Sequence, residues 1–283
     1  MPIHPPVEVA GHVWDWSETI VFGVLNVTPD SFSDGGQFDD VERAVARARE
    51  LVAAGAHAID VGGESTRPGS TPVPADEELA RVLPVIERLA SDEGVGVPIS
   101  IDTYKAEVAR AAVGAGASIV NDVSGLQLDA AMTATVAELG ASVIIGHLRG
   151  EPATMMHDVS FDDVVAEVID ELKARVRQAV TAGIAAERIF VDPCFGFGKR
   201  AEHTLALLAA TERLREEIGY PLMLGPSRKS FIGGVTGAPA QQRVMGTAAA
   251  AAIGIAQGAE MLRVHDVAEL MPAIRVADAV RRA

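Results

Sequence analysis

The feature that most constrains the fold of this chain is a unit that recurs eight times, a short aliphatic run followed by an alanine-rich amphipathic stretch. Each run has the length and β-branched content of a buried strand, and each following stretch has apolar residues at helical spacing. The predicted strands cover residues 20–27, 57–61, 98–102, 119–122, 142–146, 189–192, 221–225 and 261–264. The predicted helices cover residues 41–54, 76–90, 105–113, 130–139, 161–182, 202–218, 241–257 and 267–281.

Eight such units predict an α/β fold, the (β/α)8 TIM barrel, built as a single domain from residues 1–283. No proline- or serine-rich linker divides the chain. The competing architecture is an open doubly wound sheet, which usually carries a glycine fingerprint after its first strand. Residues 26–30 follow the first strand here and contain no glycine. Residues 1–18 precede the first unit and predict a short N-terminal β-hairpin that covers the barrel floor.

Charge and cysteine content exclude several classes of partner. The formal net charge is −15, and such a balance repels the phosphates of nucleic acids and anionic membrane surfaces. The single cysteine, Cys194, cannot form an internal disulfide, which is typical of a reducing compartment. The N-terminus has no basic-then-apolar signal pattern. We therefore expect a cytoplasmic protein with small-molecule substrates, no nucleic-acid partner and no membrane partner.

Polar side chains follow the predicted strands at their carboxyl ends, where barrels of this type carry their reactive groups. Some of them also have a structural explanation: Asp122 and Asp266 as helix caps, His147 as a hydrogen-bonded core residue, and Cys194 as a buried thiol. The shared rim nevertheless favours a site, because independent caps would not need so many charged groups there. Its charges divide into two halves. One half carries basic side chains and an amide oxygen suited to pyrophosphate and Mg²⁺, namely Arg67, Arg263, His265 and Asn26. The other half offers donors and acceptors to a flat heterocycle, from Asp102, Asn121, Asp192 and Lys229.

Seven motifs occur in order along the rim, at residues 26–36, 60–69, 100–103, 121–122, 195–199, 227–230 and 263–266. With these motifs the chain resembles the bacterial dihydropteroate synthase family of pterin-binding barrels over nearly its whole length. The resemblance implies a transferase of folate biosynthesis that joins p-aminobenzoate to 6-hydroxymethyl-7,8-dihydropterin pyrophosphate, giving 7,8-dihydropteroate and pyrophosphate. It further implies dissociative substitution, Mg²⁺ as cofactor, a homodimer, and a target of sulfonamides.

The resemblance also implies residue roles. The implied pterin-binding residues are Asp102, Asn121, Asp192, Lys229 and Arg263. The implied pyrophosphate-binding residues are Asn26, Arg67, Arg263 and His265, with Asn26 as the metal ligand. The implied p-aminobenzoate pocket consists of Phe32, Thr66, Pro68, Phe197 and Ser227. The catalytic residues among them are Asp102, Lys229, Arg263 and His265.

Three positions depart from the usual family pattern: Cys194 replaces a glycine, Gly146 a methionine, and Thr204 an asparagine. The first two border the expected pterin pocket. Two other functions compete, a methyltetrahydrofolate-using corrinoid methyltransferase and a catalytically silent pterin-binding barrel. The methyltransferase has no use for two pyrophosphate-binding loops, and a silent relative would be expected to lose Arg67 or Lys229, both of which are present.

Overall fold

The structure is a computed structural model that describes residues 4–28, 37–91 and 94–283. Its strands are β1 Val7–Val9, β2 His12–Trp14, β3 Ile20–Asn26, β4 Ala58–Gly62, β5 Ile99–Asp102, β6 Ile119–Asp122, β7 Ser142–Gly146, β8 Ile189–Asp192, β9 Met223–Leu224 and β10 Met261–Val264. Its helices are α1 Gln37–Ala53, α2 Ala75–Ala90, α3 Ala106–Gly114, α4 Met132–Leu139, α5 Val164–Thr181, α6 Ala201–Ala209, α7 Thr211–Ile218, α8 Ser230–Thr236, α9 Val244–Ala256 and α10 Val267–Arg282.

Strands β3 to β10 form one parallel sheet in the order β8-β7-β6-β5-β4-β3-β10-β9. A parallel bridge between Val191 and Leu222 links the two end strands, and the Val191 amide donates to the Pro221 carbonyl at 3.0 Å. The sheet is therefore a nearly closed barrel, with helices between its strands. The predicted (β/α)8 barrel is confirmed, and the doubly wound alternative is wrong because β8 and β9 meet.

The predicted N-terminal hairpin is confirmed as the antiparallel pair β1 and β2. Its Trp14 packs on the lower end of the barrel interior, with its ring centroid 5.8 Å from that of Phe22 and 5.9 Å from that of Phe190. The hairpin and the inward side chains of the lower strands form one apolar cluster, which also contains Ile119 and Met261. The hairpin thus seals the floor, and the opposite end of the barrel is left for polar groups.

Two helical regions differ from the sequence expectation. The helix expected over residues 202–218 divides into α6 and α7 at Ala210, whose φ of −105° and ψ of 19° interrupt the helical backbone. The helix α8 was not expected, because its seven residues contain two glycines and three β-branched residues, which are poor helix formers. Burial of Phe231 and Ile232 in the core explains why it forms. Tertiary packing outweighs local propensity in this segment.

Candidate active site

At the mouth of the barrel, Arg263 lies between the carboxylates of Asp60, which is fully buried, and Asp102, which is largely buried. It projects inward from β10, and its guanidinium donates from Nε to Asp60 Oδ2 at 2.5 Å and from Nη2 to Asp102 Oδ2 at 2.5 Å. Asn121 Nδ2 donates to the same Asp60 oxygen at 3.2 Å. One charged network therefore joins residues of four strands, β10, β4, β5 and β6. Such a network fixes the orientation of the Asp102 carboxylate before any ligand arrives.

Burial moves the pKa values of the charged groups at the mouth toward neutrality. It raises the pKa of Asp102 to about 7, although the Arg263 guanidinium acts in the opposite direction. It raises the pKa of Asp192 to about 6, against the hydrogen bond from the Cys194 amide. Burial, with a contribution from Arg263, lowers the pKa of Lys229 to about 8. Three groups that titrate so close to pH 7 are typical of a functional site.

Asp192 and Lys229 form the far wall of the mouth. Asp192 Oδ1 accepts a hydrogen bond from the Cys194 amide at 2.7 Å, which fixes one carboxylate oxygen on the backbone after β8. The Lys229 ammonium lies 3.8 Å from the centroid of the Phe197 ring. A cation held over an aromatic face keeps its N–H donors available on the other side. This wall offers an acceptor and a donor side by side.

Ser227 and His265 meet at the ends of β9 and β10. Ser227 Oγ lies 3.0 Å from His265 Nδ1 and accepts from the His265 amide at 3.2 Å. Burial, then the nearby Arg263 and Arg228 guanidinium groups, lower the pKa of His265 to about 3. The imidazole is therefore neutral at pH 7, and its Nδ1 is engaged by the Ser227 hydroxyl, which leaves Nε2 for a ligand. This side chain can donate one hydrogen bond to an anion but does not bring a fixed positive charge.

Oxygen atoms of Asn26 and Asp102 lie on either side of Gly62, at the ends of β3 and β5. A Cβ placed on Gly62 would be 3.6 Å from Asn26 Oδ1 and 3.7 Å from Asp102 Oδ2. Amide and carboxylate oxygens are the donors that Mg²⁺ prefers, and in phosphate sites the ion takes few protein ligands because water and the phosphates supply the rest. No group of three His, Cys, Asp or Glu side chains arranged for a metal occurs among the residues described. The donor set fits Mg²⁺ bound together with a phosphate, and does not fit a closed protein cage.

The loop over residues 63–74, which follows β4, is held by side-chain contacts near its start and is exposed to solvent further along. Glu64 accepts from the Tyr104 hydroxyl at 2.7 Å and forms an ion pair with Lys105. Beyond it, Arg67 and Pro68 are exposed and Thr66 is half-buried. The structure does not bring these three residues to Arg263 or Phe197, so their assigned roles stay predictions. Phe32 lies outside the described residues.

Asp60 is a site residue that the sequence reasoning missed. It belongs to a recognised motif but received no role, because an aspartate inside a strand gives no sign of its partner. Strand alternation could have found it: Asp60 is two residues before Gly62, on the same inward face as Asp102 of the neighbouring strand. Its Oδ1 is buried without a hydrogen-bond partner among the described residues, so only Oδ2 is engaged.

Other rim residues have structural roles. Asp122 accepts hydrogen bonds from the amides of Ser124 and Leu126, at 2.7 and 3.0 Å. His147 is fully buried, with Nε2 3.0 Å from Glu171 Oε2. Asp266 pairs with Arg228. These contacts bear out the structural explanation for His147. Asp122 holds the turn after β6 and caps no helix, since α4 begins only at Met132, and Asp266 serves as an ion-pair partner whose side chain does not cap α10.

The three departures from the family pattern are accommodated by their surroundings. Burial raises the pKa of the Cys194 thiol to about 12, so it is not a nucleophile. A Cβ on Gly146 would meet the Asp122 carbonyl oxygen and Val123 Cα at 2.7 Å, so the backbone after β6 fills the space of a side chain there. The buried Thr204 hydroxyl donates to the Arg200 carbonyl at 3.2 Å.

Comparison with known proteins identifies the family. Residues 22–265 match the family model described as pterin binding enzyme. The dihydropteroate synthase of Synechocystis sp. is 44% identical over 280 residues, which cover 98% of this chain and 96% of the relative. The Yersinia pestis dihydropteroate synthase in a sulfonamide drug complex superposes with a TM-score of 0.91 at 41% identity, covering 99% of this chain and 100% of that one. The Xanthomonas albilineans enzyme with 4-aminobenzoic acid gives 0.90 at 46% identity, covering 99% of each chain. This chain therefore belongs to the pterin-binding enzyme family, among the dihydropteroate synthases.

Proposed function

We propose that the mouth of the barrel carries out the dihydropteroate synthase reaction in two half-sites, one for the pterin ring and one for pyrophosphate. Asp102, Asn121, Asp192 and Lys229 bind the edge of the pterin, while Arg263 stands between the halves. The alternation of carboxylate, amide and ammonium suits a ring that carries both amino and carbonyl groups. The observation that carries the proposal is the Asp60–Arg263–Asp102 network, because it presents an oriented carboxylate beside a buried cation.

The reaction joins p-aminobenzoate to 6-hydroxymethyl-7,8-dihydropterin pyrophosphate. In the proposed sequence the bond between the methylene carbon and the pyrophosphate oxygen breaks first, and its electron pair leaves with the pyrophosphate. The amine nitrogen of p-aminobenzoate then gives its lone pair to the methylene carbon, and the proton it releases passes to water. The aromatic amine is already neutral and nucleophilic at pH 7, so no base has to activate it.

Asp102 acts through its charge. As pyrophosphate leaves, the pterin methylene becomes a cation, and a carboxylate held in place beside it stabilises this charge in the transition state more than in the ground state. The Arg263 guanidinium holds the carboxylate by the 2.5 Å hydrogen bond to Oδ2 and favours its ionised form, against the burial that raises its pKa. Asp60 in turn holds Arg263 from the opposite side, so it is a positioning residue in this scheme.

Arg263, Arg67 and His265 receive the pyrophosphate. Arg263 contributes positive charge, while the neutral His265 contributes a hydrogen bond from Nε2. Arg67, exposed at the tip of the loop over residues 63–74, reaches the anion only if that loop folds over the mouth. Mg²⁺, held by Asn26 together with the phosphates, would neutralise charge on the leaving group.

The p-aminobenzoate pocket is proposed on the outer side of the mouth, from Phe32, Thr66, Pro68, Phe197 and Ser227. Of these, Phe197 and Ser227 lie beside the pterin and pyrophosphate halves, through Lys229 and His265 respectively. The Xanthomonas albilineans relative with bound 4-aminobenzoic acid supports this substrate. Sulfonamides are proposed to compete for the same pocket, as the drug complex of the Yersinia pestis relative supports.

The experiment that tests the function is an assay of pyrophosphate release by the purified protein with Mg²⁺. Release is expected only when p-aminobenzoate and the pterin pyrophosphate are both present. Omission of either substrate serves as the control for slow hydrolysis. Equal release without p-aminobenzoate would contradict the proposal, since it would make the protein a hydrolase of the pterin ester.

A second copy of this chain is the proposed partner, as a homodimer. Large apolar side chains are exposed on three adjacent helices: Val235 on α8, Met245 and Ile253 on α9, and Val276 and Val280 on α10. Met245 is 80% exposed, and several large apolar side chains exposed on helices that contact one another are typical of an interface. Sedimentation should give a dimer for the wild type and a monomer for Met245→Glu. A wild-type monomer would contradict the assignment.

The cytoplasm is the proposed location. None of the helices described is both long and apolar enough to cross a membrane. The one cysteine, Cys194, is buried and free. Fractionation of cells that express the chain tests the proposal, with activity expected in the cytosolic fraction.

A further inference from the structure

Lys199 carries a buried ammonium group that the proposed chemistry does not use. The residue is 2% exposed, and its Nζ donates to three backbone carbonyls, those of His147 at 2.9 Å, Phe197 at 3.0 Å and Cys194 at 3.4 Å. Within the part of the chain that the structure describes, no carboxylate forms an ion pair with it. A buried charge held only by carbonyl dipoles is costly, so its presence calls for a reason beyond packing.

The carbonyls that Lys199 binds belong to two loops on the site side of the barrel. His147 follows β7, while Cys194 and Phe197 lie in the segment over residues 193–198 that follows β8. We call this segment the β8 arch. Its backbone is left-handed at three positions, with φ of 51° at Cys194, 79° at Gly196 and 58° at Gly198. The two glycines adopt this conformation freely, whereas Cys194 is strained, and the ammonium that binds the Cys194 and Phe197 carbonyls helps to hold the arch in place.

The β8 arch touches two residues of the pterin half. At its start, the Cys194 amide donates to Asp192 Oδ1 at 2.7 Å. At its end, the Phe197 ring lies 3.8 Å from the Lys229 ammonium. Between them, a Cβ on Gly196 would lie 3.8 Å from Lys229 Cδ, so the arch backbone packs directly on the lysine stem. A shift of the arch would move an acceptor and a donor of the ring site together.

We infer that Lys199 is a positioning residue for pterin recognition, which holds the β8 arch so that Asp192 and Lys229 keep the spacing of the ring edge. The ammonium does not contact the ring itself. Its removal is therefore expected to weaken binding of the pterin substrate while the step at the methylene carbon, governed by Asp102 and Arg263, continues. The inference rests on the proposed function of the mouth.

The test compares Lys199→Met with Lys173→Met. Methionine keeps the length and apolar character of the lysine stem and removes the ammonium, while Lys173 is a partly exposed lysine of α5 away from the mouth. For Lys199→Met, KM for the pterin pyrophosphate is expected to rise about tenfold, the order expected from loss of hydrogen bonds to a charged group. Its kcat is expected to change less than about threefold. All constants of Lys173→Met should stay at wild-type values.

A purely structural role would lower the melting temperature of Lys199→Met and leave the pterin KM unchanged, and that result overturns the inference. Where Lys199→Met does not fold, Lys199→Gln gives a milder form of the same comparison, because two N–H donors on a stem one atom shorter cannot satisfy all three carbonyls. A raised pterin KM in Lys199→Gln supports the inference, and a wild-type KM overturns it. An inactive wild type would instead count against the proposed function, so the two failures are distinguishable.

A double-mutant cycle tests whether Lys199 acts through the arch. Phe197→Leu removes the ring that faces Lys229, and the double variant with Lys199→Met is measured beside both single variants. If both changes act through the same contact, the pterin KM of the double variant should be close to the higher of the two single-variant KM values. Multiplication of the two single effects would show independent roles and overturn the assignment to the arch.

Discussion

The floor and the mouth of the barrel are built by the same strands, yet they have opposite chemistry. On four strands, the inward residue near the floor is apolar and the inward residue two positions later is polar or charged. These pairs are Ala58 and Asp60, Ile119 and Asn121, Phe190 and Asp192, and Met261 and Arg263. Side chains alternate between the two faces of a strand along its whole length. The difference in chemistry between floor and mouth therefore comes only from the residue types.

This contrast separates what the two ends contribute to the free energy of the protein. At the floor, Trp14, Phe22 and Phe190 exclude water and stabilise the barrel through apolar burial. At the mouth, buried charges are kept near each other and away from water, which does little for stability but prepares the site for a charged transition state. Substitutions at the floor should therefore change stability and spare catalysis, and substitutions at the mouth should do the reverse.

The largest expected effect is at the floor. Trp14→Ala removes a ring that contacts three other aromatic rings, and we expect the free energy of unfolding to fall by about 3–5 kcal/mol. At a temperature where the variant is folded, kcat should stay within about twofold of wild type. The matched control is Val13→Ala on the same strand, where the side chain is exposed and the change should be within about 0.5 kcal/mol. Chemical denaturation measures both. A large loss of kcat in folded Trp14→Ala would remove the distinction between the two ends.

The next effect is at the mouth. Asp102→Asn keeps the size of the side chain and removes its negative charge, and we expect kcat to fall at least ~10²-fold, the scale of one preorganised electrostatic group. The pterin KM should change much less, because the charge matters most when the methylene carries positive charge. Steady-state kinetics with both substrates gives the two constants. Asp170→Asn, an exposed aspartate of α5, is the control. A normal kcat with only a raised KM would assign Asp102 to binding.

A smaller effect should divide the mouth itself into its two halves. Lys229→Ala is expected to weaken binding of a pterin with or without pyrophosphate, by about tenfold. His265→Ala should weaken only the pyrophosphorylated ligand, because its Nδ1 is engaged by Ser227 and its free nitrogen serves the anion. Calorimetry with both ligands measures the four affinities. Equal losses for both ligands in both variants would mean that ring and phosphate are not recognised separately.

Much of this architecture follows from sequence patterns, since periodicity predicts the eight units and the bounds of β6, β7, β8 and β10. The residue roles are less accessible. Asp102 and Arg263 are found because they end strands, whereas Asp60 lies inside β4 and acquires its role only when Arg263 arrives from β10, 203 positions away. Lys199 is similar, because a lysine after a glycine-rich turn does not indicate which carbonyls it binds. Long-range electrostatic partners are set by the closed barrel and are not encoded in local pattern.

The smallest expected effect is a pH dependence of pterin binding, which the floor cannot produce because its residues do not titrate. Lys229 must be protonated to donate to the ring, and burial lowers its pKa to about 8. As pH rises through this value the competent fraction falls, so the apparent affinity should drop roughly fourfold between pH 7 and 8.5. As pH falls toward 6, Asp192 becomes protonated and affinity should fall again, giving a bell-shaped profile, whereas protonation of Asp102 should lower mainly kcat. Lys199, whose pKa burial lowers to about 7, titrates in the same range, so Lys229→Ala is needed to assign the alkaline limb. That variant should lose the fall centred near pH 8 and keep the acidic limb, as measured by calorimetry with a pterin that lacks pyrophosphate, and a fall that remains near pH 7 belongs to Lys199. If the pterin affinity of the wild type does not change between pH 7 and 8.5, the Lys229 ammonium is not what binds the ring.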